Sequence, residues 1–192
     1  MIVGILLAAG GARRFGSDKR LHPLADGTPM ALGAARTLKA ALPASYAVVA
    51  DDDAELAGRL QAAGIGIVRC AHSARGMGAS LACGVRALPD ADGWVIALAD
   101  MPFIEVASIR AVAGRLAAGA ALAAPVHAGR RGHPVGFARE YGDALRALDG
   151  DRGARDLIER DRARLALIPV ADAGVLRDVD TPVAVTHRTY PL

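Results

Sequence analysis

The sequence predicts an α/β fold: a single domain over 1–192 built on a three-layer, mostly parallel, doubly wound sheet. Short apolar runs alternate with helix-length segments along the whole chain, the pattern of strands joined by crossover helices. The first run, 2–8, carries no polar side chain and reads as a strand buried on both faces, as in a parallel sheet. At 192 residues the chain has the length of one domain with a substantial core, and neither a repeat nor a low-complexity linker divides it.

The remaining elements follow in order. The Asp26-Gly27 turn signal leads into a helix over 29–41. Tyr46-Ala47-Val48-Val49-Ala50 predicts a strand at 46–50, followed by a helix over 53–63 that Gly64 ends. An apolar run predicts a strand at 65–69, and a helix is predicted at 78–88. Trp94-Val95-Ile96-Ala97-Leu98-Ala99 predicts a strand at 94–99 with no charge in it, and a helix at 105–118 comes after it. The C-terminal part adds strands at 121–125, 134–138 and 165–170, helices at 139–148 and 152–161, and a short helix after Pro182.

Composition excludes several classes. Hydrophobic residues make up 53% and charged residues 22%, which is globular rather than disordered. The net charge is only +3 and the basic residues are scattered, so no nucleic-acid partner is expected. Cys70 and Cys83 cannot build a disulfide framework, and with His72 they fit no common zinc spacing, so they read as buried structural thiols. The apolar N-terminal run is too short to span a membrane and lacks the basic start of a signal peptide, while the Ala-rich stretch 111–124 is broken by Gly114, Arg115 and Gly119. No membrane partner is expected, and the chain reads as soluble and cytoplasmic.

Ligands of open α/β sheets gather beyond the carboxyl ends of the strands, and two such ends carry chemistry here. After the first strand, Gly10, Gly11 and Gly16 let the backbone come close to a ligand, and Arg14 and Lys19 add positive charge. Together they make a phosphate site. The chain has only two lysines against 21 arginines, so a lysine in this loop hints that a compact ammonium is wanted there. The loop is neither a Walker A sequence nor a Gly-x-Gly-x-x-Gly dinucleotide turn, and a plain strand-to-helix turn with surface arginines is the bland alternative. The second end is Asp100, which follows the uncharged run 94–99. A carboxylate there can hold Mg²⁺ bridging phosphate oxygens, or can cap a helix started near Pro102.

Leu7-Ala8-Ala9-Gly10-x-x-x-Arg14-Phe15-Gly16-x-x-Lys19 resembles the signature of nucleotidyltransferases with a glycosyltransferase-A-like fold. Five more blocks match in order: Gly76-Met77-Gly78-Ala79-Ser80-Leu81, Ala99-Asp100-Met101-Pro102, Gly132-His133-Pro134-Val135, Gly150-Asp151-x-Gly153-Ala154-Arg155 and Asp178-Val179-Asp180-Thr181-Pro182. Within that group the chain is most similar to the molybdenum cofactor cytidylyltransferases and guanylyltransferases. Ala8-Ala9-Gly10 resembles the cytidylyl pattern and Ala12-Arg13-Arg14 the guanylyl one.

The resemblance implies a nucleotide-diphospho-sugar transferase-like fold and a role for each block. Leu7, Ala8, Ala9, Gly10 and Gly11 would hold the nucleotide, with Arg14 and Lys19 on its triphosphate and Ser80 near the base or ribose. Asp100 would bind Mg²⁺, with Asp178 or Asp180 as a second ligand. His133, Asp151 and Arg155 would face an acceptor, a pterin ending in a phosphate. Arg14, Lys19 and Asp100 would be the catalytic set. A molybdoenzyme receiving the product is a further implied partner.

Structural alternatives stand beside these roles. Ser80 suits a cap for a helix over 81–88, His133 a buried turn residue, Asp151 a cap of the next helix, and Asp178 and Asp180 caps of the terminal one. The implied reaction moves NMP, with CMP ahead of GMP, from an NTP to the acceptor's terminal phosphate with release of pyrophosphate. A sugar or alcohol phosphate as acceptor, or a non-catalytic cofactor carrier, are the competing functions.

Overall fold

The computed structural model describes residues 1–10 and 18–179. Gly11, Arg14, Gly16, Asp180 and the helix expected after Pro182 lie outside the described residues. Among the described residues, eight strands form one sheet: β1 (Ile2–Leu7), β2 (Ser45–Ala50), β3 (Gly66–Cys70), β4 (Gly93–Leu98), β5 (Leu122–His127), β6 (Arg130–Arg131), β7 (Val135–Ala138) and β8 (Leu165–Pro169). Their order is β3-β2-β1-β4-β7-β5-β6, with β8 paired to β5. The pairs β1–β2, β1–β4, β2–β3 and β5–β8 are parallel, while β7 runs antiparallel between β4 and β5. The helices are α1 (Met30–Ala41), α2 (Ala54–Ala62), α3 (Met77–Ala87), α4 (Val106–Ala117), α5 (Gly142–Arg146) and α6 (Arg155–Arg160).

Two apolar layers sandwich the sheet. Leu6 of β1 joins Leu38 of α1, Leu60 of α2 and Val112 of α4 in one core, and Val3, Ile5 and Leu7 join Leu81 of α3, Leu145 of α5 and Ile158 of α6 in the other. This explains why β1 is apolar at every position: neither of its faces meets water. Met30, Ala31, Ala34, Ala35 and Leu38 give α1 one buried stripe at helical spacing. Asp53 starts α2, its carboxylate accepting the Leu56 N–H at 3.1 Å.

The expected strands fall within two residues of the observed ones at either end. The helix expected at 152–161 starts only at Arg155, because Gly153 takes φ +57°, a left-handed backbone that a right-handed helix cannot include. The helix expected at 139–148 divides into a 3₁₀ turn (Arg139–Tyr141) and the short α5, with Gly142, a poor helix former, at the junction. The two-residue β6 has no strand pattern of its own; it pairs Arg131 and Arg130 with Val126 and His127. Among the described residues no helix is long and apolar enough to cross a membrane.

Phe137 on β7 lies opposite Trp94 on β4, and both are essentially fully buried. Phe137→Ala is expected to destabilise the protein by about 3–5 kcal/mol. Urea unfolding followed by the fluorescence of Trp94, the single tryptophan, measures this, and a midpoint equal to wild type would contradict it.

Candidate active site

Because β2, β1 and β4 run parallel side by side, their carboxyl ends share one edge of the sheet, and a cleft of about 730 Å³ opens there. Leu7, Ala8, Ala9 and Gly10 line it from the end of β1, Ala50 and Asp52 from the end of β2, and Leu98, Ala99 and Asp100 from the end of β4. Ser73, Ala74, Gly76, Met77 and Ser80 at the start of α3 close one side, and Lys19, Arg20, Met30 and Asp151 complete the lining. Of the residues singled out from the sequence, the cleft brings together Leu7, Ala8, Ala9, Gly10, Lys19, Ser80, Asp100 and Asp151.

Lys19 and Asp100 meet across this cleft, Nζ donating to Oδ2 at 3.1 Å. Asp100 does not cap the following helix. That helix, α4, begins at Val106, and the buried Asp172 accepts from the Glu105 N–H and the Ser108 hydroxyl at 2.8 Å each. Capping from a distant segment leaves Asp100 to the cleft, where its side chain is 36% exposed and reachable by a ligand. The Val179 N–H donates to the Asp100 carbonyl at 2.9 Å, so the exposed Asp178 is next to a residue tied to this strand end.

A divalent cation fits the donor chemistry. Mg²⁺ and its like take one or two carboxylates together with substrate phosphates and water rather than a full protein cage, and Asp100 supplies a hard oxygen donor beside the Lys19 ammonium. Among the described residues no group of three or more His, Cys, Asp or Glu is placed to hold a metal ion. Cys70 and Cys83 are free thiols on β3 and α3, and burial, with Cys70 close by, pushes the Cys83 thiol up to about 12.

The start of α3 and the 149–151 segment form one unit. Gly76 has φ +121°, and a Cβ there would lie 2.4 Å from Asp151 Oδ1 and 2.5 Å from the Gly150 carbonyl carbon, so only glycine allows the approach. The Gly78 N–H donates to the Gly150 carbonyl at 2.7 Å. Ser80 sits in the first turn of α3, its hydroxyl donating to the Gly76 carbonyl at 3.3 Å, so it does not cap a helix beginning at 81. Arg155 is exposed at the start of α6 and is not part of the cleft lining.

His133 stands outside the lining yet close enough to Asp100 to feel its charge. Its N–H donates to the Val175 carbonyl at 2.9 Å, and its buried Nδ1 meets no hydrogen-bond partner among the described residues. Burial pushes the imidazole down to about 4, the Arg131 charge pushing the same way and Asp100 opposing, so the ring is neutral at physiological pH.

Sequence reasoning missed Arg20, Asp52, Ser73, Ala74 and Met77 as cleft residues. Arg20 had a visible signal in the Asp18-Lys19-Arg20 run of charges. Its guanidinium donates to both Asp18 oxygens (Nε 2.9 Å, Nη2 2.6 Å) and to the Ala8 carbonyl (Nη1 2.6 Å), and it lies 2.6 Å from Asp53 Oδ2. Burial works against the guanidinium charge, but the two carboxylates outweigh it and raise its pKa, while the hydrogen bond to Arg20 holds Asp18 below its ordinary range.

Comparison with known proteins places the chain in a family. Residues 4–165 match the MobA-like NTP transferase domain. Purine catabolism protein PucB of Bacillus subtilis (strain 168) is 30% identical over 192 residues, covering 94% of this chain and 92% of PucB. The crystal structure of the Mycobacterium tuberculosis rv0371c homolog from Mycobacterium sp. strain JC1 is 31% identical with a TM-score of 0.76, over 95% of this chain and 92% of that one. The manganese complex of Rv0371C from Mycobacterium tuberculosis H37Rv is 25% identical with a TM-score of 0.68, over 97% and 94% of the two chains. A match that runs from β1 to the start of β8 makes this chain a member of the MobA-like NTP transferase family, and so a nucleotidyltransferase.

Proposed function

We propose that the protein transfers a nucleoside monophosphate, CMP before GMP, from an NTP to the terminal phosphate of molybdopterin or the molybdenum cofactor, releasing pyrophosphate. The observation that carries this reading is the Lys19–Asp100 pair, a cation and a carboxylate facing each other across a strand-end cleft. Ala8-Ala9-Gly10, with its likeness to cytidylyl enzymes, supports CMP. The chemistry needs no general base. A phosphate monoester has a second pKa of about 6 and is largely dianionic at neutral pH, so its oxygen attacks the α-phosphorus directly as the bond to pyrophosphate breaks.

The chain's own task is alignment and charge neutralisation. Lys19, joined in this reading by Arg14, neutralises the triphosphate, and Ser80 with the start of α3 borders the base or ribose. Mg²⁺ would be held by Asp100, with Asp178 or Asp180 as second ligand, and would supply positive charge to offset the negative charge of the phosphates. That Rv0371C forms a complex with manganese supports a divalent ion as the cofactor. On the acceptor side the reading places His133, Asp151 and Arg155; a neutral His133 hydrogen-bonds there without adding charge. The enzyme would work in the cytoplasm beside its nucleotide pool, and a molybdoenzyme would receive the product.

Pyrophosphate release with each of CTP, GTP, ATP and UTP, with and without molybdopterin and with a sugar phosphate in its place, tests the reading. Lys19→Ala and Asp100→Asn are expected to keep the fold and lower turnover by on the order of a hundredfold or more. Wild-type turnover in Lys19→Ala would sink the assignment.

His133 generates a separate pH prediction. Its pKa is about 4 in the folded protein against an ordinary 6.5, so between those values the unfolded chain binds a proton that the folded one refuses. The stability this site contributes is therefore present above pH 6.5 and is lost as pH falls towards 4. Urea midpoints of wild type should drop more steeply over this window than those of His133→Gln, and parallel curves would refute it.

A further inference from the structure

Four oxygens of three residues surround the Arg20 guanidinium, and they come from three separate parts of the fold. Ala8 directly follows β1, Asp18 opens the 3₁₀ turn that carries Lys19, and Asp53 is the N-cap of α2. Asp53 is itself anchored, because its other oxygen accepts the Leu56 N–H. Asp18 also accepts the Arg20 backbone N–H at 3.0 Å, closing the turn on itself. A guanidinium has five N–H donors in a planar fork, and these contacts engage Nε and both terminal nitrogens. One positive charge between two carboxylates leaves the cluster net negative, which disfavours direct contact with a triphosphate. The neighbouring Lys19 is the residue that reaches across to Asp100.

We propose that Arg20 is a positioning residue for nucleotide binding: it pins the Asp18–Leu21 turn to β1 and α2, and so aims the Lys19 ammonium at Asp100 and at a triphosphate bound beside them. This rests on the transferase reading of the same cleft. The role requires the fork and not the charge alone, since an ammonium cannot bridge Ala8, Asp18 and Asp53 together. It also makes the effect of Arg20 depend on Lys19, because a turn with no ammonium to aim has nothing to position.

A double-mutant cycle tests this dependence. Affinities for CTP and for GTP with Mg²⁺ are measured by equilibrium dialysis on wild type, Arg20→Met, Lys19→Ala and the double variant, with circular dichroism melts as a folding control. Arg20→Met is expected to weaken nucleotide binding about tenfold in the wild-type background, the scale of one charged hydrogen bond, and less than about twofold in the Lys19→Ala background. Arg20→Lys should stay weakened although it keeps the charge. Losses that multiply, or full affinity in Arg20→Lys, overturn the positioning role. If Arg20→Met does not fold, the same cycle run with Arg20→Lys decides. A wild-type protein that binds neither nucleotide overturns the transferase reading itself.

Discussion

Parallel pairing on both sides of β1 is the constraint on which the rest of the structure depends. With β2 on one side, β4 on the other and helices over both faces, β1 must be apolar throughout and must point its carboxyl end the same way as its neighbours. Three strand ends then share one edge, and each crossover connection starts from that edge. Lys19 and Asp100 are 81 residues apart in sequence, and they meet because β1 and β4 are adjacent in register. The cleft is therefore a consequence of topology before any side chain is chosen.

Some of this was legible in the sequence. A strand with no polar residue that ends in a glycine loop, and another that ends in a lone aspartate, both announce themselves as sheet-centre strands with chemistry at their tips. What stayed hidden depends on partners far apart in the chain. Nothing near Arg20 says that it will meet Asp53, and nothing near Glu105 says that Asp172 will satisfy its N–H in place of Asp100. The antiparallel insertion of β7 between β4 and β5 was equally invisible, because periodicity shows a strand but not its direction. The motif blocks were readable one at a time, while the seating of Gly76 against Gly150 and Asp151 belongs to the fold.

Charge in the cleft is divided between two neighbouring cations with different duties. Arg20 is held by Asp18, Asp53 and a carbonyl, so its charge is spent within the protein. Lys19 donates to the carboxylate of Asp100, which is part of the same site. The difference follows from side-chain chemistry. A planar fork serves for tying several backbone segments together, whereas a compact ammonium on a flexible stem serves for meeting a phosphate group that comes and goes. A chain that otherwise uses arginine nearly everywhere has a lysine at this position, which accords with the role proposed for it.

The segments packed against the Asp100 strand end, outside the cleft lining, are held by different means. There the Val175 carbonyl accepts from the His133 backbone and the Asp100 carbonyl accepts from Val179, so main-chain bonds fix the spacing between the strand end and the segments beyond it. In the proposed reaction the nucleotide is long and highly charged, and side-chain cations can guide it into place. The acceptor phosphate, by contrast, must reach one phosphorus from one direction, and displacements of about an ångström are costly in such transfers. Backbone-set spacing, with a buried neutral imidazole instead of another mobile charge, suits that demand. Under the proposed reaction the two sets of groups would differ as the two substrates do: the cations would neutralise charge, and the backbone-tied segments would fix geometry.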